Sequence, residues 1–296
     1  MLDRRRLLPL ALLASCAHRS PSPSSPPAGK AAAAAAATFA LPVEPNGLWW
    51  DAASSSLYFA SDDEHALYRW QGGSFTLAAA LPSPPGRPGL GQLVRTGDGR
   101  TVITRFGHGD GGAIVVVGRD GQATLVPGLD VARRRIGLGL AADGTLYDGY
   151  FSYDAAKHQA HGAVARLTLD GSERDVISGL GKVVGVLVVG DAIYASDQEA
   201  NTIVRASLSS PADARPFATV DQPDLLCAGD AGAIFAASKA GGVYRVAADG
   251  SVSRVVAGLR SLRGIAWDAA GKRLFFVERR GRDAASPPTL HVLPLH

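Results

Sequence analysis

The feature that most constrains the fold of this chain is a sequence repeat. Residues 50–59 (WDAASSSLYF) return as residues 267–276 (WDAAGKRLFF), and weaker copies lie between them. The first apolar residue after the turn of each copy can be aligned six times, at intervals of 40 to 47 residues. These aligned positions are Leu57, Val102, Leu146, Ile193, Ile234 and Leu274. Six copies of a repeat of this length predict a six-bladed β-propeller.

The turns within the repeats predict the structure of each blade. Asp-Gly pairs occur at 98–99, 120–121, 143–144, 170–171 and 249–250, and tight hairpin turns use such pairs because they need positive φ. Each repeat is therefore predicted to be a four-stranded antiparallel blade in an all-β domain spanning residues 38–296. The last blade is one strand short, and only residues 289–294 follow its long loop. We expect the segment 38–43 to pair with it and close the ring.

The N-terminus resembles a bacterial lipoprotein signal. Residues 1–15 combine a basic start with an apolar run that is too short to span a bilayer. The run ends at Leu13-Ala14-Ser15-Cys16, which is similar to a lipobox, so Cys16 is the predicted lipidation site. Residues 16–37 are rich in Pro, Ser and Ala and are predicted to form a disordered tether. We therefore expect an exported protein that is anchored in the cell envelope and held at the membrane through Cys16.

Charge argues against nucleic-acid binding. The formal net charge is +3, and residues 1–15 contribute three arginines and one aspartate, so the remainder carries +1. The remaining arginines are scattered rather than clustered with aromatic residues, so no nucleic-acid partner is predicted. Cys227 has no intramolecular partner if Cys16 is lipidated, and its apolar neighbours indicate a buried residue without a redox role.

The repeat also locates the residues that face the central channel. The innermost strand of every blade surrounds this channel, so residues at the start of these strands share one cavity. Counting back from the aligned positions, to within one residue, gives Asn46, Gln92, Arg135 or Ile136, Val183 or Val184, Asp224 and Arg263. Asn46, Gln92 and Arg263, together with Asp224, are the candidate ligand-binding residues.

Blades one and five carry a family resemblance. The segments Pro223-Asp224-Leu225, 231–235 and 241–245 resemble the Pro-Asp-Gly blade of the gluconolactonase and regucalcin (senescence marker protein) family, which is related in fold to strictosidine-synthase-like propellers. The resemblance implies a six-bladed propeller. It also implies a divalent, calcium-like cation held by a glutamate, an asparagine and the aspartate of the motif, which also takes part in catalysis.

The ligand set implied by this resemblance is only partly present. Asp224 matches the aspartate, which makes it the candidate catalytic residue, although Leu225 replaces the glycine that follows it. Asn46 occupies the position of the glutamate, and Glu44 stands two residues earlier. The middle-blade asparagine, expected near Val184, is missing. Asp224, Asn46 and Glu44 are thus the candidate metal ligands, and a calcium site usually takes six to eight oxygen ligands with more than one carboxylate.

Three functions follow as alternatives. The first is an envelope lipoprotein that binds a small ligand in the channel. The second is a divalent-metal-dependent lactone or ester hydrolase in which Asp224 accepts a proton from a metal-bound water. The third is a non-catalytic scaffold that holds a protein partner in the envelope.

Overall fold

The computed structural model describes residues 37–82, 89–280 and 286–295, which form six sheets of four antiparallel strands. The predicted signal, Cys16 and the tether up to residue 36 lie outside the described residues. The only helices in the described segments are the single 3-10 turns Gly107–Gly109 and Asp230–Gly232. Neither has the length or apolar character that a membrane crossing needs. The described residues confirm the predicted all-β architecture of six blades.

The strands follow one another blade by blade along the chain. A first strand, β1 (Ala37–Ala40), precedes the blades. Blade one contains β2 (Pro45–Asp51), β3 (Ser56–Ser61), β4 (Ala66–Gln71) and β5 (Ser74–Ala80). Blade two contains β6 (Leu90–Arg95), β7 (Thr101–Arg105), β8 (Ala113–Val117) and β9 (Ala123–Leu125). Blade three contains β10 (Arg134–Leu140), β11 (Leu146–Asp154), β12 (Gln159–Leu167) and β13 (Glu173–Leu180).

Blades four and five repeat the same plan, and blade six borrows a strand. Blade four contains β14 (Val183–Val189), β15 (Ala192–Asp197), β16 (Thr202–Ser207) and β17 (Ser210–Thr219). Blade five contains β18 (Pro223–Ala228), β19 (Ile234–Ser238), β20 (Val243–Val246) and β21 (Val252–Val256). Blade six contains β22 (Leu262–Asp268), β23 (Arg273–Glu278) and β24 (Thr289–Pro294), with β1 as its outer strand.

The ring is closed by the pairing of β1 with β24. The two strands run antiparallel, with Ala37 opposite Val292 and Ala40 opposite Thr289. This confirms the predicted closure, although the strand covers Ala37–Ala40 rather than the whole of 38–43. Leu41 and Val43 follow it as buried residues that pack between blades one and six.

The apolar core lies between neighbouring blades. Leu48 and Phe59 of blade one pack with Phe275 of blade six, and Tyr194 of blade four packs with Ile234 of blade five. The innermost strands contact one another all the way round the ring. Close approach of these strands requires glycine: a Cβ on Gly264 would lie 2.1 Å from the carbonyl oxygen of Asn46.

Every innermost strand carries a β-bulge at the same place. The register of the first strand against the second shifts after Pro45, Leu90, Arg135, Val183, Pro223 and Leu262. A bulge inserts one extra residue and re-aims its side chain. The residues that follow these six positions are Asn46, Gly91, Ile136, Val184, Asp224 and Arg263. They mark one end of the channel, which we call the entrance.

Candidate binding site at the channel entrance

Asp224 is the centre of the entrance. Its side chain is fully buried at the bulge of β18. Its Oδ2 accepts hydrogen bonds from Arg263 Nη1 at 2.7 Å and from Gln198 Nε2 at 3.0 Å. Its Oδ1 accepts a bond from the backbone N–H of Leu225 at 3.1 Å. One carboxylate therefore ties blade five to blades four and six, and both of its oxygens have partners.

Arg263 and Asn46 lie on adjacent strands and retain unused polar atoms. Arg263 donates to Asp224 from Nη1, and its Nε is buried without a partner among the described residues. Asn46 is also buried, and its Oδ1 lacks a donor within the same part of the chain. Buried polar atoms in proteins are normally satisfied by protein, water or ligand. The entrance therefore holds one donor and one acceptor that a bound molecule or an ordered water can complete.

Glu44 is paired with arginines of blade six. Its Oε1 accepts a hydrogen bond from Arg279 Nε at 2.6 Å, and the backbone N–H of Arg280 donates to the same carboxylate. Arg279 also donates to Asp62 Oδ2 at 2.8 Å. Burial alone would lower the pKa of Arg279, but Asp62 and Glu44 raise it above its ordinary value. Glu44 is thus neutralised by an ion pair.

Two lysines add positive charge beside Asp224. Lys182 precedes β14, and Lys239 follows β19. Burial and the positive charges of Lys239 and Arg263 lower the pKa of Lys182, against the smaller opposing influence of Asp224. Among the described lysines only Lys157 and Lys272 form ion pairs with carboxylates. Lys182 and Lys239 thus have no carboxylate within ion-pair distance among the described residues, and Glu199 as well as Asp224 acts on Lys182 from further away.

Gln92 lies further inside the channel and spans it. Its Oε1 accepts hydrogen bonds from the backbone N–H groups of Leu138 at 3.0 Å and Val186 at 3.3 Å, and its Nε2 donates to the carbonyl of Leu226 at 3.4 Å. These three backbone groups belong to the innermost strands of blades three, four and five. Gln92 follows Gly91 within the bulge of β6, between the paired residues Leu90 and Leu93. Gln92 therefore closes the inner end of the entrance.

Arg135 is absent from the entrance. Of the two candidates in blade three, Ile136 occupies the bulge. Arg135 is fully buried within its own blade, where it forms ion pairs with Asp148 and, at 2.9 Å, with Glu173. In blade four the bulge residue is Val184, so two of the six entrance positions carry apolar side chains, and Gly91 carries no side chain.

The described residues do not fit a divalent cation. No group of three or more His, Cys, Asp or Glu in the described segments is arranged to hold a metal. Asp224 contacts a guanidinium, the side chain of Val184 offers no oxygen, and Glu44 is paired with Arg279. Calcium sites need several oxygen ligands and more than one free carboxylate. The three candidate metal ligands are thus not assembled into one ligand set.

The repeat alignment was used to locate residues on the innermost strands only, so it missed several residues of the entrance. The second strands also end at this face, and the residues directly after four of them are polar or charged. These residues are Asp62, Gln198, Lys239 and Arg279. Applying the same repeat alignment to the ends of the second strands would have found them.

Comparison with known proteins supports the fold. No protein-family model and no curated protein matches the sequence. A gluconolactonase of Xanthomonas campestris superposes with a TM-score of 0.68 and 20% identity, covering 86% of this chain and 88% of that one. A calcium-binding regucalcin of Agrobacterium tumefaciens superposes with a TM-score of 0.64 and 18% identity, covering 86% of this chain and 92% of that one. A virginiamycin B lyase of Staphylococcus aureus superposes with a TM-score of 0.62 and 13% identity, covering 88% of this chain and 99% of that one. The chain thus has the six-bladed propeller fold of gluconolactonases and regucalcin-like proteins.

Proposed function

We propose that the channel entrance binds a small carboxylate-bearing ligand without a divalent cation. The observation that carries this proposal is the pairing of Asp224 with Arg263, at 2.7 Å, in the place where the family resemblance implies a metal. A guanidinium bound to the aspartate neutralises it and keeps further N–H groups for a ligand. Lys182 and Lys239 add attraction for an anion.

The unsatisfied atoms of the entrance narrow the class of ligand. Arg263 Nε is a donor and matches a carboxylate oxygen, whereas Asn46 Oδ1 is an acceptor and matches a hydroxyl. A molecule that carries both groups, such as a sugar acid or another hydroxycarboxylate, would complement both atoms. Gln92 has its amide atoms bonded to backbone groups, so it contributes the inner wall of the entrance rather than a free contact.

The proposal predicts that ligand affinity depends on Arg263. Gluconate should bind the full chain in calorimetric titration, and a metal chelator should leave binding unchanged. Arg263→Gln should weaken it about tenfold to a hundredfold, because hydrogen bonds to charged groups contribute about 1.5–3 kcal/mol. Arg166→Gln is the matched control, since it removes the same charge from an exposed position on β12. Equal affinity in the two variants, or no binding of any hydroxycarboxylate tested, would contradict the proposal.

Lactone hydrolysis is the second candidate function. The fold shared with gluconolactonases and the position of Asp224 support it. The arrangement around Asp224 opposes it, because the carboxylate is already paired with the Arg263 guanidinium and its Oδ2 accepts two hydrogen bonds. The same preparation can be assayed for gluconolactone turnover with and without added calcium. Turnover that requires the cation and is lost in Asp224→Asn would favour the hydrolase over the binding protein.

We also propose that the protein is exported and anchored in the cell envelope through lipid on Cys16. The support is the lipobox-like sequence 13–16 after a basic and apolar start. Cys16→Ser should move the protein from the membrane fraction to the soluble fraction of the cells, while Cys227→Ser should leave its location unchanged. Membrane association of the Cys16→Ser variant would refute the lipid anchor.

A further inference from the structure

The channel contains a cavity beyond Gln92. It has a volume of about 370 Å³ and is lined by residues from the innermost strands of all six blades. Its largest side chains are Trp49, Trp50 and Trp267. We call it the distal cavity, because it lies toward the ends of the innermost strands rather than at their bulges. Asn46, Asp224 and Arg263 do not line it.

The distal cavity is apolar. None of the described residues that line it is charged, and most are Leu, Val, Ile, Ala or Trp. Gln92 forms part of its wall, but the amide oxygen and nitrogen of Gln92 are bonded to the backbones of blades three, four and five. A charged molecule would lose its hydration there without gaining a counter-charge. The cavity therefore disfavours the ligand class proposed for the entrance.

The tryptophans around the cavity are held by neighbouring side chains. Trp267 Nε1 donates a hydrogen bond to Asp230 Oδ1 at 3.2 Å, and Trp50 stacks on Phe275 with ring centroids 5.0 Å apart. The guanidinium of Arg273 lies 5.2 Å from the Trp50 ring. These contacts fix two of the three indoles before a ligand arrives. Pre-ordered side chains reduce the entropy lost on binding.

The size of the cavity points to a small molecule. Ligand sites in proteins are mostly apolar and typically enclose about 300–1,000 Å³. The walls are strands of a closed ring rather than an open surface groove, so a folded partner cannot enter.

We propose that the distal cavity is a second ligand site, specific for an uncharged, largely aromatic or aliphatic small molecule, and separated from the charged entrance by Gln92. The two halves of one channel then bind ligands of opposite character. Cys227 lies in this cavity, and burial raises the pKa of its thiol, so it acts as an apolar wall residue.

An uncharged fluorescent probe, N-phenyl-1-naphthylamine, tests this site in the full chain. Three of the four tryptophans of the chain line the cavity, so binding should produce energy transfer from tryptophan to the probe. We expect saturable binding that weakens at least about tenfold when the cavity is filled by Ala228→Phe or by Cys227→Phe. Circular dichroism and thermal unfolding establish which of the two variants folds.

Two controls separate this site from the rest of the protein. Ala156→Phe places the same bulk on an exposed turn of blade three, and Arg263→Gln alters only the entrance; both should leave probe binding unchanged. The inference is overturned if the probe does not bind, if a folded filled variant binds it as tightly as the native chain, or if Arg263→Gln weakens it equally. Loss of gluconate binding in Arg263→Gln bears on the entrance alone, so the two proposals can fail separately.

Discussion

Gln92 and Asp224 each join several blades through one side chain. Gln92 bonds to the backbones of blades three, four and five from a strand of blade two. Asp224 contacts Gln198 of blade four and Arg263 of blade six. The innermost strands are edge strands, so their channel-facing N–H and C=O groups need partners other than a neighbouring strand. Single polar residues supply those partners here.

Replacing Gln92 by Met should destabilise the fold by about 2–4 kcal/mol, because the side chain keeps its length but leaves three backbone groups unbonded. Urea unfolding of the full chain measures the change. Gln159→Met, on an exposed position of β12, is the control and should shift stability by less than about 0.5 kcal/mol. Similar unfolding curves for the two variants would show that water replaces the amide of Gln92 without loss of stability.

The sequence predicted the central residues of the entrance and missed its periphery. Asn46, Asp224 and Arg263 were found because a bulge recurs at the same step of every repeat, and repeats preserve such positions. In blade two the count gave Gln92, one residue after Gly91, which is the position equivalent to Asn46, Asp224 and Arg263. Lys182 lies outside the innermost strand, and its proximity to Arg263 depends on the packing of blade four against its neighbours. Pairings between blades, such as Asp224 with Arg263, are long-range contacts that no local pattern encodes.

Turns and bulges help to set where the strands of this fold begin and end. The Asp98-Gly99 and Asp143-Gly144 turns place glycine at φ values of 86° and 88°, and each aspartate accepts a bond from a backbone N–H two residues later. These local signals are visible in the sequence, and the structure has turns at these predicted positions. The end of β1 at Ala40 has no such signal, because its pairing partner is distant in sequence.

The closing sheet should respond to pH through His291 on β24. This residue is buried, stacks on Phe276, and its Nε2 lies 3.1 Å from Glu278 Oε2. Burial lowers its pKa below the ordinary value of 6.5, against the opposing influence of Glu278. A group with a lowered pKa in the folded state contributes stability that is complete above its unfolded pKa and is lost as the pH falls through its folded pKa.

The stability of the native chain should therefore fall between about pH 7 and about pH 5 by more than that of His291→Gln. Glutamine keeps a donor for Glu278 and does not titrate in this range. Thermal unfolding of both proteins across the interval gives the difference, and His161→Gln, an exposed change on β12, should retain the native pH dependence. The same slope for His291→Gln and the native chain would rule out this role for His291.

At the scale of the whole described propeller, the blades form a ring whose axis changes character along its length. Charged side chains of blades one, four, five and six surround the entrance, whereas tryptophan and aliphatic residues line the distal cavity. The number of blades and the closure of the ring followed from the repeat, since a fold built from copies is specified by its period. What the channel binds did not follow from the repeat, because it depends on which residues differ between the copies.

The pairing of β1 with β24 gives the domain a circular design. Ala37 lies opposite Val292, so the two ends of the described propeller are neighbours in one sheet. A short peptide joining them would make the polypeptide continuous around the axis. The chain could then be opened at an exposed hairpin such as the one between β16 and β17, giving a circular permutant with the same six blades.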